Sequence, residues 1–217
     1  MSYNRIVSAI KTADTIRGDY MAAPVEHDKR KKKILEKALA VFMDEGFENA
    51  TYQKIADKCG ITRTILYLYF KNKKEIFGYS IKQLLLSVEE HINSIRADNS
   101  LSSPEKIIKV LFAIFKLTEQ NRQLLSVVLD YLLHVSRKDI SPQARVRRRT
   151  LKLQHVLLTI VIDGVKSGEL KNVNIKKTKN YLYSFIESAI FQLAVLKCDN
   201  LTGLKETAVF AVEQLKA

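Results

Sequence analysis

The sequence predicts an all-α protein of about nine helices, and three observations carry that expectation. Apolar residues recur at three and four spacing along nearly the whole chain of 217 residues, only seven glycines and three prolines occur, and no alternating strand pattern persists. A chain of this length buries a sizeable core without a metal or disulfide staple. The organisation reads as an N-terminal extension over 1–27, a three-helix unit over 28–77 and a larger helical body over 78–217.

The elements follow in order. Residues 1–27 hold a short amphipathic stretch through Ile6, Ile10, Ala13 and Ile16, then an irregular passage around Pro24. The first firm helix runs from about Lys29 to Glu45, with Ile34, Leu35, Ala38, Leu39 and Phe42 on one face, Gly46 as its C-cap and Phe47 folding back as an apolar plug. Thr51 caps a second helix and Thr62 a third. Asn72 and Glu75 form a capping-box-like pair that opens a long fourth helix to about Ala97. Ser102, Ser103 and Pro104 prime a fifth, whose apolar face is Ile107, Ile108, Leu111, Phe112 and Phe115. A sixth covers roughly 121–136. Ser141 and Pro142 open a seventh, which ends near Lys166 before Gly168, and two more lie near 174–197 and 204–216.

Residues 51–74 are the most specific stretch. Two short helices are joined by a connection of three or four residues at Gly60, where a left-handed backbone is cheapest without a Cβ, and Ala56 is small enough for close helix contact. This is the pattern of a helix-turn-helix, whose second helix enters the major groove. A formal charge of +13 favours an acidic partner, whether nucleic acid, an anionic membrane face or a phosphate-bearing ligand. Cys59 and Cys198 show no paired spacing and read as reduced, buried thiols. The most apolar run, Val156 to Ile162, is far short of the roughly 20 residues a bilayer needs, so a soluble cytoplasmic location is expected.

The run from Ile34 through Ile76 resembles the N-terminal domain of TetR-type (tetracycline-repressor-like) transcriptional regulators. The likeness rests on Glu45-Gly46-Phe47, Thr51, Ile55 and Ala56, Gly60, and the closing Leu66-Tyr67-x-Tyr69-Phe70-x-x-Lys73. A second echo is Gly164-x-x-x-Gly168-Glu169-Leu170. The resemblance implies an all-helical homodimer with an N-terminal helix-turn-helix DNA-binding domain and a C-terminal ligand-binding and dimerisation domain. It implies a repressor released from a palindromic operator in double-stranded DNA by a small-molecule effector. Thr64 departs from the small glycine or alanine frequent in the recognition helix, and Leu68 and Tyr69 from commoner aromatic and histidine choices, so the operator sequence does not follow from relatives.

Arg63 is the first choice for base readout, because a guanidinium bonds bidentately to guanine. Thr64 and Ile65 can reach the groove floor, and Tyr67 and Tyr69 resemble positions that touch phosphate or bases. Thr51, Thr62 and Lys73 sit at helix N-termini, where free amides and the dipole favour phosphate, and Lys71 adds charge. The run Lys29 to Lys33, at the start of the first helix, lies along phosphates, probes the minor groove or is a solvated basic end. The ligand cavity is expected among helices four to seven, with Phe112, Phe115, Tyr131, His134 and His155 as lining. Dimerisation is expected from the last two helices through the stripes Leu182, Phe185, Ile186, Ala189, Leu193 and Leu204, Ala208, Ala211, Val212, Leu215, paired as a four-helix bundle. The cluster Arg145, Arg147, Arg148, Arg149 and Lys152 spreads around a helix and reads by default as solvated surface, with an anionic effector, an acidic partner or flanking DNA as the alternatives.

No phosphate-cradling glycine loop, HExxH, CxxC pair or nucleophile elbow is present, so no enzyme, cofactor or metal is expected. Glu89, Glu90 and His91 are adjacent and diverge around a helix, which argues against a shared metal site. The competing class is a helical adaptor that presents its basic faces to anionic membrane or acidic protein. It offers no reason for the Gly60 turn between two capped helices.

Overall fold

The computed structural model describes residues 24–135 and 141–217, without the side chains of residues 24, 25, 134, 135, 141–143 and 145. The expected helix through Ile6 to Ile16 lies outside the described residues. Among the described residues there are nine helices: α1 (Pro24–Asn49), α2 (Tyr52–Cys59), α3 (Arg63–Tyr69), α4 (Lys73–Ala97), α5 (Ser103–Gln120), α6 (Arg122–Val135), α7 (Ser141–Ser167), α8 (Ile175–Ala194) and α9 (Thr202–Glu213). Among the described residues extended pairing is limited to one isolated bridge, Leu170 to Lys216. The chain divides into two compact units after Gln83, inside α4.

In the first unit α1 begins five residues earlier than its pattern suggested. Pro24, expected in an irregular passage, opens the helix instead, since its fixed φ suits the first turn and Glu26 follows where the dipole favours an acid. The basic run Lys29 to Lys33 therefore lies well inside α1, after its first turn. Gly46, at φ 76° and ψ 169°, breaks the helix at the expected place, and Phe47 turns inward against Phe42 and Phe77, with ring centroids 5.9 and 5.1 Å away. Ile34, Leu35, Ala38, Phe42, Ile55, Leu66, Phe70, Ile76 and Phe77 are all buried. The Ser80 hydroxyl donates to the Leu35 carbonyl at 2.9 Å, which fastens the first part of α4 along α1.

In the second unit α5 packs against α6, α7, α8 and α9. Its start carries a full capping box: Ser102 accepts from the Glu105 N–H, and Glu105 accepts from the Ser102 N–H at 2.8 Å. The Gly164 to Leu170 echo has a physical account. An added Cβ at buried Gly164 would come within 2.7 Å of Ser103 Cβ and of Leu170 Cδ1, so glycine lets α7 lie close against the first turn of α5. Gly168 adopts φ 77° and ends α7. The turn it makes buries Leu170 and aims Glu169, which accepts from the Ser103 N–H at 2.8 Å. At the far end Glu119 accepts from Lys205 Nζ at 2.8 and 2.9 Å and from the Leu201 N–H at 2.9 Å, tying α5 to the start of α9. Among the described residues no helix is long and apolar enough to cross a membrane.

Candidate nucleic-acid interface and apolar cavity

The helix-turn-helix is assembled by local hydrogen bonds that its residue types provide. Thr51, in extended backbone, accepts from the Lys54 N–H at 3.2 Å and opens α2. Gly60 closes that helix at φ 69°, with its own N–H on the Asp57 carbonyl and that of Ile61 on the Ala56 carbonyl, both at 3.0 Å. Thr62 then accepts from the Ile65 N–H at 3.3 Å and opens α3. A helix of seven residues has almost no stability of its own. It persists because Leu66 is fully buried and because contacts distant in sequence grip both its ends.

One grip is Tyr52. Its hydroxyl donates to the carbonyl of Phe70, the C-cap of α3, at 3.0 Å, while its ring stacks on Tyr67 with centroids 4.4 Å apart. Burial, and then the charges of Tyr67 and Glu75, push the Tyr52 phenol up to about 12. A second grip is Tyr69, stacked on His27 of α1 at 4.7 Å. Lys73 supplies a third. Its ammonium donates to the Glu48 carbonyl at 2.9 Å and lies 4.6 Å from the Phe47 ring centroid, and burial lowers its pKa against the pull of Glu48. Glu75 reaches back to the Lys71 N–H at 2.6 Å while its own N–H meets Asn72 Oδ1 at 2.9 Å, so the expected capping pair closes one residue earlier than a capping box would.

These contacts sort the expected DNA residues. Thr51, Thr62, Arg63, Thr64, Tyr67 and Lys71 are exposed, Ile65, Tyr69 and Lys73 half-buried. With Leu66 pointing inward, Thr64 and Leu68 two places either side lie about 160° from it at 100° per residue, on the outermost face. Leu68 is 67% exposed and was not among the expected contacts. Its signal was the inward Leu66, which forces an apolar residue two places on to face out. Arg63 lies along Tyr67, its Nη2 3.5 Å from the phenol oxygen. On α1, Lys29, Lys33 and Lys37 share one face at four-residue spacing and line a depression of about 420 Å³ with Gly60 and Ile61. Lys31 behaves differently, its ammonium lying 4.9 Å from the Tyr79 ring centroid and 5.6 Å from that of Phe70. Cys59 is half-buried, and burial raises its pKa despite Lys37 nearby, so nothing activates the thiol.

Residues 34–79 match the family profile described as bacterial regulatory proteins, tetR family. That stretch carries the DNA-binding domain of the tetR family. It is 24% identical over 163 residues to the fatty acid metabolism regulator protein of Bacillus subtilis, spanning 73% of this chain and 80% of that one. Solved structures share the fold. A TetR transcription regulator from Haloarcula marismortui superposes with a TM-score of 0.76 at 18% identity, over 88% of this chain and all of that one. The transcriptional regulator FadR from Bacillus subtilis, solved in complex with stearoyl-CoA, gives 0.66 at 20%, over 83% and 96%.

The second unit holds an apolar cavity of about 320 Å³. Its walls are Val88 and Ile92 of α4, Ile114 and Leu117 of α5, and Leu153 and Val156 of α7. Charged groups sit at its rim. Glu89 Oε1 lies 3.2 Å from Arg149 Nη1 and Glu89 Oε2 3.7 Å from Lys152 Nζ, and Asn93, Arg96 and His155 also line the cavity. Of the expected lining residues the structure brings only His155 here. Phe115 is fully buried core, Tyr131 is buried on α6, Phe112 borders a separate shallow depression on α5, and the side chain of His134 lies outside the described residues. The charge cluster on α7 divides too: Arg149 and Lys152 reach the cavity, Arg147 and Arg148 face solvent, and the Arg145 side chain lies outside the described residues.

The expected dimer stripes need correction. Leu182, Phe185, Ile186, Ala189 and Leu193 of α8, and Ala208, Ala211 and Val212 of α9, are buried within the protomer, with Leu204 and Leu215 packed against the same core. The reason is that α8 carries a second stripe, of three apolar residues and two serines, and spacing alone does not say which one faces inward. The outer stripe is Tyr181, Ser184, Ser188, Phe191 and Val195, at alternating steps of three and four. Phe210 of α9 and Leu196 are also exposed, at 66% and 58%.

Proposed function

We propose that this protein is a ligand-responsive, dimeric repressor that grips a palindromic operator through two copies of α3 and is released by a small-molecule effector. The observation that carries the reading is the outer face of α3, where Arg63, Thr64, Tyr67 and Leu68 stand exposed on a helix locked by its own cap and by Tyr52. On that reading Arg63 and Thr64 read base edges, Leu68 and Ile65 meet thymine methyls, and Tyr67 and Tyr69 contact the sugar-phosphate backbone. Thr51, Thr62 and Lys71, with Lys29, Lys33 and Lys37, take phosphates, while Lys73 acts by fastening α3 and α4 to Glu48. The protein works in the cytoplasm as a regulator and not as an enzyme.

A second copy seats on the outer stripe of α8 and on Phe210 of α9, because steps of three and four are those at which one helix presents knobs to another. The FadR complex with stearoyl-CoA supports an effector carrying an acyl chain, and the apolar walls of the cavity suit one. Helix α4 supplies residues to both the first unit and the cavity wall, so an effector acts on the spacing of the two readers, which must meet major-groove faces about 34 to 36 Å apart.

The test is selection of genomic fragments on the purified protein, followed by gel shifts with wild type and Arg63→Ala. The variant is expected to lose about 1 to 3 kcal/mol and to accept other bases at one position in each half-site. With about three or four phosphate-bound cations per reader, log affinity should fall with log salt at a slope of about −5 to −7. Enrichment of no sequence, together with tight binding to anionic vesicles, would move the protein to the adaptor class.

A further inference from the structure

We propose that Glu89 is an internal stand-in for the effector's head group: its carboxylate occupies an anion slot formed by Arg149 and Lys152 at the cavity rim, and an amphiphile with one apolar chain and an anionic head binds by taking its place. This rests on the effector reading above and assigns the class and orientation of the ligand.

The geometry supplies the argument. The slot sets one carboxylate against two cations, and Arg96, about 10 Å further along the same side of α4, lines the same cavity. The cavity lining thus combines three cations against one carboxylate with seven aliphatic side chains, a combination that suits an apolar chain with an anionic head. Glu89 and Arg149 are each about one-third exposed and Lys152 more so. An ion pair in such a setting contributes little, since water screens it, so exchanging one carboxylate for another is cheap. Each charge also keeps a partner after the exchange, because Glu89 swings into solvent while the head group satisfies the cations. A neutral chain offers the slot nothing and leaves Glu89 in place.

The experiment is calorimetric titration of the full chain, without DNA, with decanoate, decanol and decanoyl-CoA, on wild type, Glu89→Gln and the double variant Arg149→Gln/Lys152→Gln. Circular dichroism melts check that each variant is folded. Glu89→Gln should bind the anionic probes about two- to fivefold more tightly, because the competing carboxylate is gone, and the double variant should bind them more weakly by at least a similar factor. Decanol should be indifferent to both changes. Binding confined to decanoate or to decanoyl-CoA identifies the head as a free carboxylate or as a phosphate-bearing thioester, and either supports the assignment. Decanol bound as tightly as decanoate, no binding of any probe, or a Glu89→Gln variant that binds anions no better would overturn it. A gel shift on selected fragments separates the two levels: anion exchange without operator release leaves the slot standing and removes the effector reading.

Discussion

Replacing Tyr52 by phenylalanine removes one oxygen and tests how α3 is held. The hydroxyl bonds the Phe70 carbonyl at 3.0 Å, at the point where the seven-residue helix ends, while the ring that stacks on Tyr67 remains. A hydrogen bond of this kind contributes about 0.5 to 1.5 kcal/mol net, so Tyr52→Phe should cost the N-terminal unit about 1 kcal/mol near neutral pH. Tyr52→Leu, which also forfeits the stack, should cost about another 0.5 to 1.5 kcal/mol. The pH dependence provides an independent check. The folded protein holds the Tyr52 phenol up at about 12 against an ordinary 10.0, so above pH 10 the unfolded chain ionises first and the stabilisation drains away until the folded group titrates. The gap between wild type and Tyr52→Phe should therefore shrink between those two values, and the other eight of the nine tyrosines cancel in the comparison. Urea denaturation followed by far-ultraviolet circular dichroism at a series of pH values measures both effects. A variant as stable as wild type near neutral pH, or a gap that stays constant through the alkaline range, would refute the account of how α3 is fastened.

Gly164→Ala should destabilise the second unit by about 1 to 3 kcal/mol in chemical denaturation, since the new methyl lands 2.7 Å from Ser103 Cβ, which is fixed to its backbone, and 2.7 Å from Cδ1 of the buried Leu170. Burial opposes ionisation of Glu119, but hydrogen bonds from Lys205 and the Leu201 N–H, with the charge of Lys205, outweigh it and set its carboxyl below the ordinary range. That contribution is present above the unfolded value and lost as pH falls through the lowered folded one, so Glu119→Gln should be less stable at neutral pH and should lose part of the acid limb of a denaturation profile. Leu68→Gln should leave the melting temperature nearly unchanged, the side chain being exposed, yet alter fragment preference in a repeated selection; unchanged preference would remove Leu68 from the readout. Phe191→Ser with Phe210→Ser should shift sedimentation toward monomer without unfolding the protomer, whereas Leu182→Ser should unfold it.

What the sequence could tell is what acts over three or four residues. Thr51, Thr62, Ser102 and Asn174 each bond the N–H three places on, and Gly46, Gly60 and Gly168 each take the positive φ that ends a helix, so element count and order were legible from residue type and spacing. The charged first turns and the turn at Gly60 marked the candidate interface for the same reason. Tertiary structure decided what depends on partners far along the chain: that Lys73 bonds a carbonyl 25 residues away, that Glu89 meets Arg149 across 60 residues, and that Tyr52 braces Tyr67 and the Phe70 carbonyl. It also decided which apolar stripe of α8 faces inward, because a helix with two such stripes satisfies the same periodicity either way and only the neighbours it packs on distinguish them.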